Sequence, residues 1–190
     1  MNYKKIMLTS LLAVTTLIAT NAIAQDKYFT REGHIAFYSE AEDESIEANN
    51  YKVTSILDMA TGNMEFAVLM KAFEFKQSLM EEHFNENYVE SNKFPKGTFK
   101  GTVNNISDVN IKADGEYPVT VSGVLTIHGV SKNIEEKGVI IVKNGKVYAN
   151  SEFKIAIRDY DIEIPKVVVK NIAEVISVKV KLNLNKLERS

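Results

Sequence analysis

The stretch that decides the fold is "VTVSGVLTIHGVSK", residues 119–132. Two sets of residues alternate along it, one mostly apolar and the other mostly polar. The apolar set is Val119, Val121, Gly123, Leu125 and Ile127, and the polar set includes Thr120, Ser122, Thr126 and His128. A period of two is typical of a β-strand that buries one face. The stretch therefore predicts a half-buried strand that leads into a glycine turn.

The same period recurs along the rest of the chain. Further predicted strands lie near residues 28–38, 51–58, 63–71, 147–157 and 176–184. Asn-Gly at 144–145 is a strong hairpin signal between two of these runs. About eight antiparallel strands with short turns predict an all-β fold, an eight-stranded barrel that closes to remove exposed strand edges. A β-sandwich remains open as the alternative, because periodicity alone does not separate the two.

One segment departs from this pattern. Residues 76–87, "KQSLMEEHFNEN", lack β-branched side chains and place Leu79, Met80, His83 and Phe84 at helical spacing. This spacing predicts one short amphipathic helix.

The N-terminus has the three parts of a secretory signal peptide. Two lysines precede an uncharged apolar run, and Ala22-Ile23-Ala24 closes it with small residues. The run is too short to span a bilayer, and the chain has no cysteine to carry a lipid anchor. We therefore expect residues 1–24 to be removed and residues 25–190 to form one exported domain, periplasmic or secreted, without a transmembrane anchor.

The composition argues against several functions. The formal net charge is −2, and no cluster of lysine and arginine is present to bind nucleic acid. The absence of cysteine excludes thiolate metal sites and a cysteine nucleophile. No serine lies in a known nucleophile motif, and there is no glycine-rich phosphate loop. We therefore expect no enzymatic activity, no cofactor and no metal.

The histidines were the remaining candidates for chemistry. His128 has no nearby metal-ligand partners in the sequence, so we interpret it as structural, hydrogen-bonded near the turn. His83 lies among Glu81, Glu82 and Glu86, but the spacing is not that of a zinc motif. A solvated acidic helix face is the favoured interpretation.

The apolar faces of the strands give a different kind of candidate site. An eight-stranded barrel is about the size at which side chains either fill the interior or leave room for one small ligand. Periodicity leaves packing and cavity open as alternatives. The candidate lining residues are Phe66, Val68, Phe99, Leu125, Ile127, Phe153, Ile155, Val178 and Val180, and the candidate lid residues are Phe84, Tyr88 and Phe94.

Three stretches carry a family resemblance. "GHIAFYSEA" at 33–41, "NKFPKGTFKG" at 92–101 and "SGVLTIHGVSK" at 122–132 resemble the YceI-like, polyisoprenoid-binding family. This resemblance implies a lipocalin-like barrel, an exported location and an elongated apolar cavity for an isoprenoid. It brings no established catalytic residues.

Together these observations predict an exported, non-enzymatic carrier or sequestering protein. Its expected ligand is a polyisoprenoid, an isoprenoid quinone or a fatty acyl lipid held inside the barrel. The alternative is a structural or stress-related interaction protein whose barrel is packed and binds no ligand. A homodimer is left open.

Overall fold

The computed structural model describes residues 26–188. The predicted signal peptide, residues 1–24, lies outside the described residues. The strands are β1 (Lys27–Glu40), β2 (Ser45–Asp58), β3 (Asn63–Leu69), β4 (Glu74–Phe75), β5 (Lys96–Val103), β6 (Gly115–Ile127), β7 (Val130–Lys143), β8 (Lys146–Ala156) and β9 (Val175–Lys186). The helix α1 (Ser78–His83) continues into a π-helical turn, Phe84–Tyr88.

The strands form one closed antiparallel sheet. Its order is β1-β9-β8-β7-β6-β5-β3-β2, and β2 pairs back onto β1. The two-residue β4 pairs with β2 beyond the end of β3, so it continues the line of β3 and adds no position to the barrel. The predicted eight-stranded antiparallel barrel with one short helix is confirmed.

Strand β2 begins earlier than the sequence predicted, at Ser45 instead of residue 51. The first half of β2 contains alanine and asparagine, which are rare in strands, so the sequence pattern did not predict it. Pairing with β1 overrides this weak propensity, since Ala48 lies opposite Phe37 and is fully buried. Asn50 is also fully buried, and its amide donates to the carbonyl of Leu69 at 2.9 Å. Tertiary contacts thus decide where this strand starts.

Two hairpin turns have the same backbone geometry. Asn144 and Gly145 have φ angles of 51° and 73°, and His128 and Gly129 have φ angles of 51° and 77°. Positive φ at both central residues of a two-residue loop is the signature of a type I′ turn. The sequence predicted the first turn. His128, which we expected on the polar face of its strand, instead occupies the left-handed position of the second turn, and this corrects the prediction.

The interior of the barrel is divided into two halves. In one half, large apolar side chains meet across the barrel and are almost completely buried. They include Leu57, Val103, Ile140, Val147, Leu182 and Leu184. The connection between β5 and β6 covers this end, and its Ile106, Val109 and Ile111 pack against the core. This half is a conventional packed core.

Candidate ligand-binding cavity

The other half of the barrel is hollow. It contains an apolar cavity of about 410 Å³. All nine candidate residues named from the sequence line this cavity: Phe66, Val68, Phe99, Leu125, Ile127, Phe153, Ile155, Val178 and Val180. They come from β3, β5, β6, β8 and β9, so their side chains converge only because the sheet closes on itself. Strand alternation assigned these residues to the inner face of the barrel, and the closed structure places them at the cavity.

Two glycines shape one wall of the cavity. Gly101 on β5 lies opposite Gly123 on β6, and the ring of Phe99 reaches over both. A Cβ atom on Gly101 would lie 2.5 Å from Phe99 Cζ, and one on Gly123 would lie 2.9 Å from the same atom. Because both glycines lack side chains, the Phe99 ring can pack directly against the backbone of β5 and β6.

An aromatic cluster lies beside the helical segment. The ring of Phe84, in the π-helical turn, lies 5.1–5.5 Å from the ring centroids of Phe37, Phe73 and Phe75. Phe84 and Tyr88 both line the cavity. These two lid candidates therefore lie where a ligand would contact them.

Phe94, the third lid candidate, lies elsewhere. Its ring packs edge-on against His128 with centroids 4.7 Å apart, and a Cβ on Gly129 would lie 2.5 Å from the Phe94 ring. Phe94 is not among the residues that line the cavity. It packs against the hairpin turn between β6 and β7. The close contact is possible because Gly129 has no side chain at that point.

Several lining residues were missed by the sequence reasoning. One group belongs to the irregular connection between β8 and β9, which has no periodic pattern: Ile157, Tyr160, Ile162, Val168, Asn171 and Ile172. On β7, Ile134 and Glu136 were also missed. Ile134, Ile140 and Val142 share the inward period, and the charge of Glu136 interrupted it. An alternation search that tolerated one polar residue would have found this strand face.

Polar groups are few in the cavity wall. The carboxyl of Glu136 lines it, and burial raises the pKa of this group. Tyr160 also lines it and is only 4% exposed. Burial raises the pKa of the Tyr160 hydroxyl, and the negative charges of Asp159 and Glu136 raise it further. Both polar side chains therefore border a chamber whose wall is mostly apolar.

His128 connects the hairpin turn to two other segments. Its Nε2 lies 2.8 Å from Glu90 Oε2, and its Nδ1 lies 3.1 Å from the carbonyl oxygen of Tyr160. Both partners are acceptors, so both bonds form together only when both ring nitrogens carry protons. The hydrogen bond from His128 is the largest influence on Glu90 and, with the charge of Lys93, lowers the pKa of this carboxyl. The geometry is that of a structural link.

His83 and its neighbouring glutamates do not converge. His83 is exposed at the rim of the cavity, and Glu82 and Glu86 are also exposed. Glu81 accepts a hydrogen bond from the backbone N–H of Phe75 at 3.4 Å. Among residues 26–188, no group of three or more histidine or acidic side chains is arranged to hold a metal ion.

Comparison with known proteins identifies the family. The YceI-like domain matches residues 29–185, which include every strand of the barrel except the ends of β1 and β9. The chain belongs to the YceI-like family. The comparison with curated protein sequences found no significant match. In the part of the chain that the structure describes, no helix is long and apolar enough to cross a membrane.

Solved structures share the YceI-like fold at low sequence identity. A polyisoprenoid binding domain from Saccharophagus degradans, implicated in plant cell wall breakdown, has a TM-score of 0.74 at 13% identity, covering 86% of this chain and 99% of that one. Burkholderia cenocepacia BcnA has a TM-score of 0.65 at 13% identity, and the match covers 80% of this chain and 94% of that one. The Campylobacter jejuni YCEI protein has a TM-score of 0.56 at 18% identity, and the match covers 75% of this chain and 85% of that one.

Proposed function

We propose that this protein is a non-enzymatic carrier or sequestering protein that encloses one apolar chain in the hollow half of its barrel. The observation that carries the proposal is the apolar cavity of about 410 Å³ beside a packed core. Burying a ligand chain there contributes about 0.8 kcal/mol per methylene. A polyisoprenoid, an isoprenoid quinone or a fatty acyl lipid has this chemistry, and one structural neighbour is described as a polyisoprenoid binding domain.

The placement of the histidines supports a role without catalysis. His128 is only 12% exposed, and both its ring nitrogens are occupied by Glu90 and Tyr160. His83 is exposed at the rim of the cavity, and it belongs to no metal-binding group of three or more histidine or acidic side chains within residues 26–188. Neither histidine is placed as a general base beside a nucleophile.

The proposal includes export. The basic start, short apolar run and Ala22-Ile23-Ala24 site support removal of residues 1–24. A periplasmic or secreted location would place the barrel where it can take up or hold lipids outside the cytoplasm.

Mass spectrometry tests both parts of the proposal. The protein is purified from its native compartment and measured intact under native conditions, then denatured and extracted with organic solvent. We expect a polypeptide that begins at Gln25, a bound mass lost on denaturation, and an apolar lipid in the extract. A polypeptide that retains Met1 would contradict export. A ligand-free protein that also fails to take up the neutral dye Nile red would contradict the carrier role.

A further inference from the structure

Residues 165–170, "PKVVVK", form a tight turn in the connection between β8 and β9, and we call this turn the valine tip. The N–H of Val168 donates to the carbonyl of Pro165 at 3.0 Å, and the N–H of Asn171 donates to the carbonyl of Val168 at 2.9 Å. These bonds wind Lys166–Val168 into one turn of 3₁₀-helix. Because such a helix has about three residues per turn, consecutive side chains point in different directions.

One valine of the tip faces the cavity and the other two face the solvent. Val168 is half-buried and lines the cavity. Val167 is 90% exposed and Val169 is 52% exposed. Among the large apolar side chains of residues 26–188, Val167 is the most exposed, and Leu79 follows at 60%. The valine tip is therefore cavity wall on one side and protein surface on the other.

The base of the valine tip is anchored to the turn between β1 and β2. The N–H of Asp43 donates to the carbonyl of Lys170 at 2.9 Å. The N–H of Ala173 donates to Ser39 Oγ at 2.8 Å. These two bonds cross from one connection to the other, so the exposed valines are presented by a loop that is fixed to the barrel.

Lysines lie on both sides of the three valines, and both are exposed. Lys166 forms no ion pair within the described part of the chain, and Lys170 pairs with Glu42 at 3.3 Å. The nearest acidic residues along the chain, Glu163 and Glu174, lie outside the tip. Apolar side chains bordered by lysine suit a lipid surface, because the apolar groups enter it while the ammonium groups stay beside the lipid phosphates.

The shape of the valine tip favours a bilayer over a protein partner. A side chain that is 90% exposed projects from the surface, since neighbours would cover it in a groove or on a flat face. Residues that dominate protein interfaces lie in well-packed pockets that exclude water, and the tip offers no such pocket to a partner. A lipid surface requires no complementary shape, because its headgroups move aside for a projecting apolar group.

We propose that the valine tip docks on the surface of a phospholipid bilayer, with Val167 and Val169 in contact with the acyl chains and Lys166 beside the lipid phosphates. Because Val168 lines the cavity, docking places the bilayer next to the cavity wall. Exchange of an apolar ligand with the membrane is the purpose of the contact. That purpose rests on the proposed carrier function, whereas docking itself follows from the exposed side chains of the tip.

A single tryptophan can report on docking, because the natural chain has none. Val167→Trp places this reporter at the tip. Val124→Trp is the matched control, because Val124 on β6 is also an exposed valine, at 40%, but lies on the barrel wall. Both variants are titrated with phosphatidylcholine vesicles, with vesicles that also contain phosphatidylglycerol, and with vesicles that have brominated acyl chains. Thermal melts verify that each variant is folded.

We expect the emission of Val167→Trp to shift to shorter wavelength when vesicles are added and to be quenched by brominated acyl chains. The emission of Val124→Trp should not change. No shift for Val167→Trp with any vesicle, or equal shifts for the two variants, would overturn the proposal.

Sedimentation with vesicles tests the tip without an added tryptophan. Changing both Val167→Ser and Val169→Ser should weaken vesicle binding about tenfold, because two apolar side chains no longer enter the lipid. Val124→Ser should leave binding unchanged. Lys166→Gln should weaken binding to the vesicles that contain phosphatidylglycerol more than binding to phosphatidylcholine alone. Equal binding by the double serine variant and the unmutated protein would contradict docking through the tip.

Nile red uptake without vesicles separates this proposal from the carrier function. None of the substituted side chains lines the cavity, so every variant should take up the dye as the unmutated protein does. Dye uptake without vesicle binding would overturn docking and leave the carrier function intact. Vesicle binding without dye uptake would overturn the carrier function and leave docking intact. A dimer that the double serine variant loses, with no vesicle binding, would identify a second copy as the partner and overturn the proposal.

Discussion

His128 holds three segments of the chain together at one end of the barrel. Its backbone forms the left-handed position of a type I′ turn, and its ring bonds to Glu90 and to the carbonyl of Tyr160. Left-handed backbone costs about 1–2 kcal/mol for most residues, although asparagine tolerates it well. The histidine therefore accepts a backbone cost in exchange for two long-range hydrogen bonds.

Two substitutions at position 128 separate these effects. His128→Ala loses both ring bonds and keeps the backbone cost of the turn, so we expect a loss of about 2 kcal/mol in the free energy of unfolding. His128→Asn loses the same bonds but relieves the backbone cost, so we expect a loss about 1 kcal/mol smaller. Urea denaturation measures both values. Equal stability of the two variants would show that the turn conformation contributes nothing.

Glu90 gives the link a dependence on pH. Its pKa in the folded protein is below the ordinary value of 4.5, so the charged form is stabilised by folding. The contribution is present above pH 4.5 and is lost as the pH falls through the lower folded value. We expect the unmutated protein to lose more stability between pH 6 and pH 3 than Glu90→Gln does. Urea midpoints across this range measure the difference.

Glu82→Gln is the control for that experiment, since Glu82 is an exposed glutamate on α1. Its stability profile should follow that of the unmutated protein. Parallel profiles for the unmutated protein and Glu90→Gln would show that the bond to His128 has no influence on folding.

Among the elements, β5 and β6 depend most on the absence of side chains. The Phe99 ring occupies the space over Gly101 and Gly123 on the inner wall of the cavity. Glycine inside a strand weakens it, but it also permits a close approach that no other residue allows. The two glycines therefore allow the Phe99 ring to pack against the cavity wall.

Gly123→Ala should displace the Phe99 ring. Its new Cβ would lie 2.5 Å from the Cα of Gly101 as well as 2.9 Å from Phe99, so we expect overpacking to cost about 1–3 kcal/mol. Gly138→Ala on β7 is the control, because the nearest atom to its Cβ is the carbonyl oxygen of Asn150 at 3.0 Å and the next is 3.6 Å away. Both variants gain the same unfolded-state benefit from alanine. Equal urea midpoints for the two variants would contradict the role assigned to Gly123.

The helical segment closes the molecule differently from the other end. The connection between β5 and β6 inserts isoleucine and valine into the packed half. The segment with α1 and the π-helical turn instead presents Phe84 and Tyr88 to the cavity, while Leu79 is 60% exposed. One end is filled by side chains that pack on the core, and the other is covered by a segment whose aromatic side chains line the cavity.

For the whole molecule, one substitution made in each half distinguishes cavity from core. Val178 on β9 lines the cavity, and Val147 on β8 is 1% exposed in the packed half. Val178→Phe should fill empty space, keep the free energy of unfolding within about 1 kcal/mol and reduce Nile red binding. Val147→Phe should cost about 1–3 kcal/mol by overpacking and leave the cavity unchanged. Urea denaturation and dye titration of the delipidated proteins measure both effects.

The opposite result would be decisive. A large loss of stability from Val178→Phe, together with no dye binding by the unmutated protein, would show that the hollow half closes in solution. The packed-barrel alternative would then describe the whole interior.

Much of the architecture follows from local sequence. Alternation assigned the inner face of β6, β8 and β9, and Asn144-Gly145 marked one hairpin, because strand period and turn geometry depend on neighbouring residues. Where local preference was weak, as in the first half of β2, only the pairing partner decided the structure.

The division of the interior was decided by tertiary structure alone. Val147 and Val178 have the same side chain and the same alternating surroundings, yet one is core and the other is cavity wall. What differs is the opposite wall and the connection that covers each end, and these come from residues far away in the chain. For the same reason, the sequence alone did not predict the partners of His128 or the position of Glu136 in the cavity wall. A side chain's period assigns its face, but only the closed barrel determines what lies across from it.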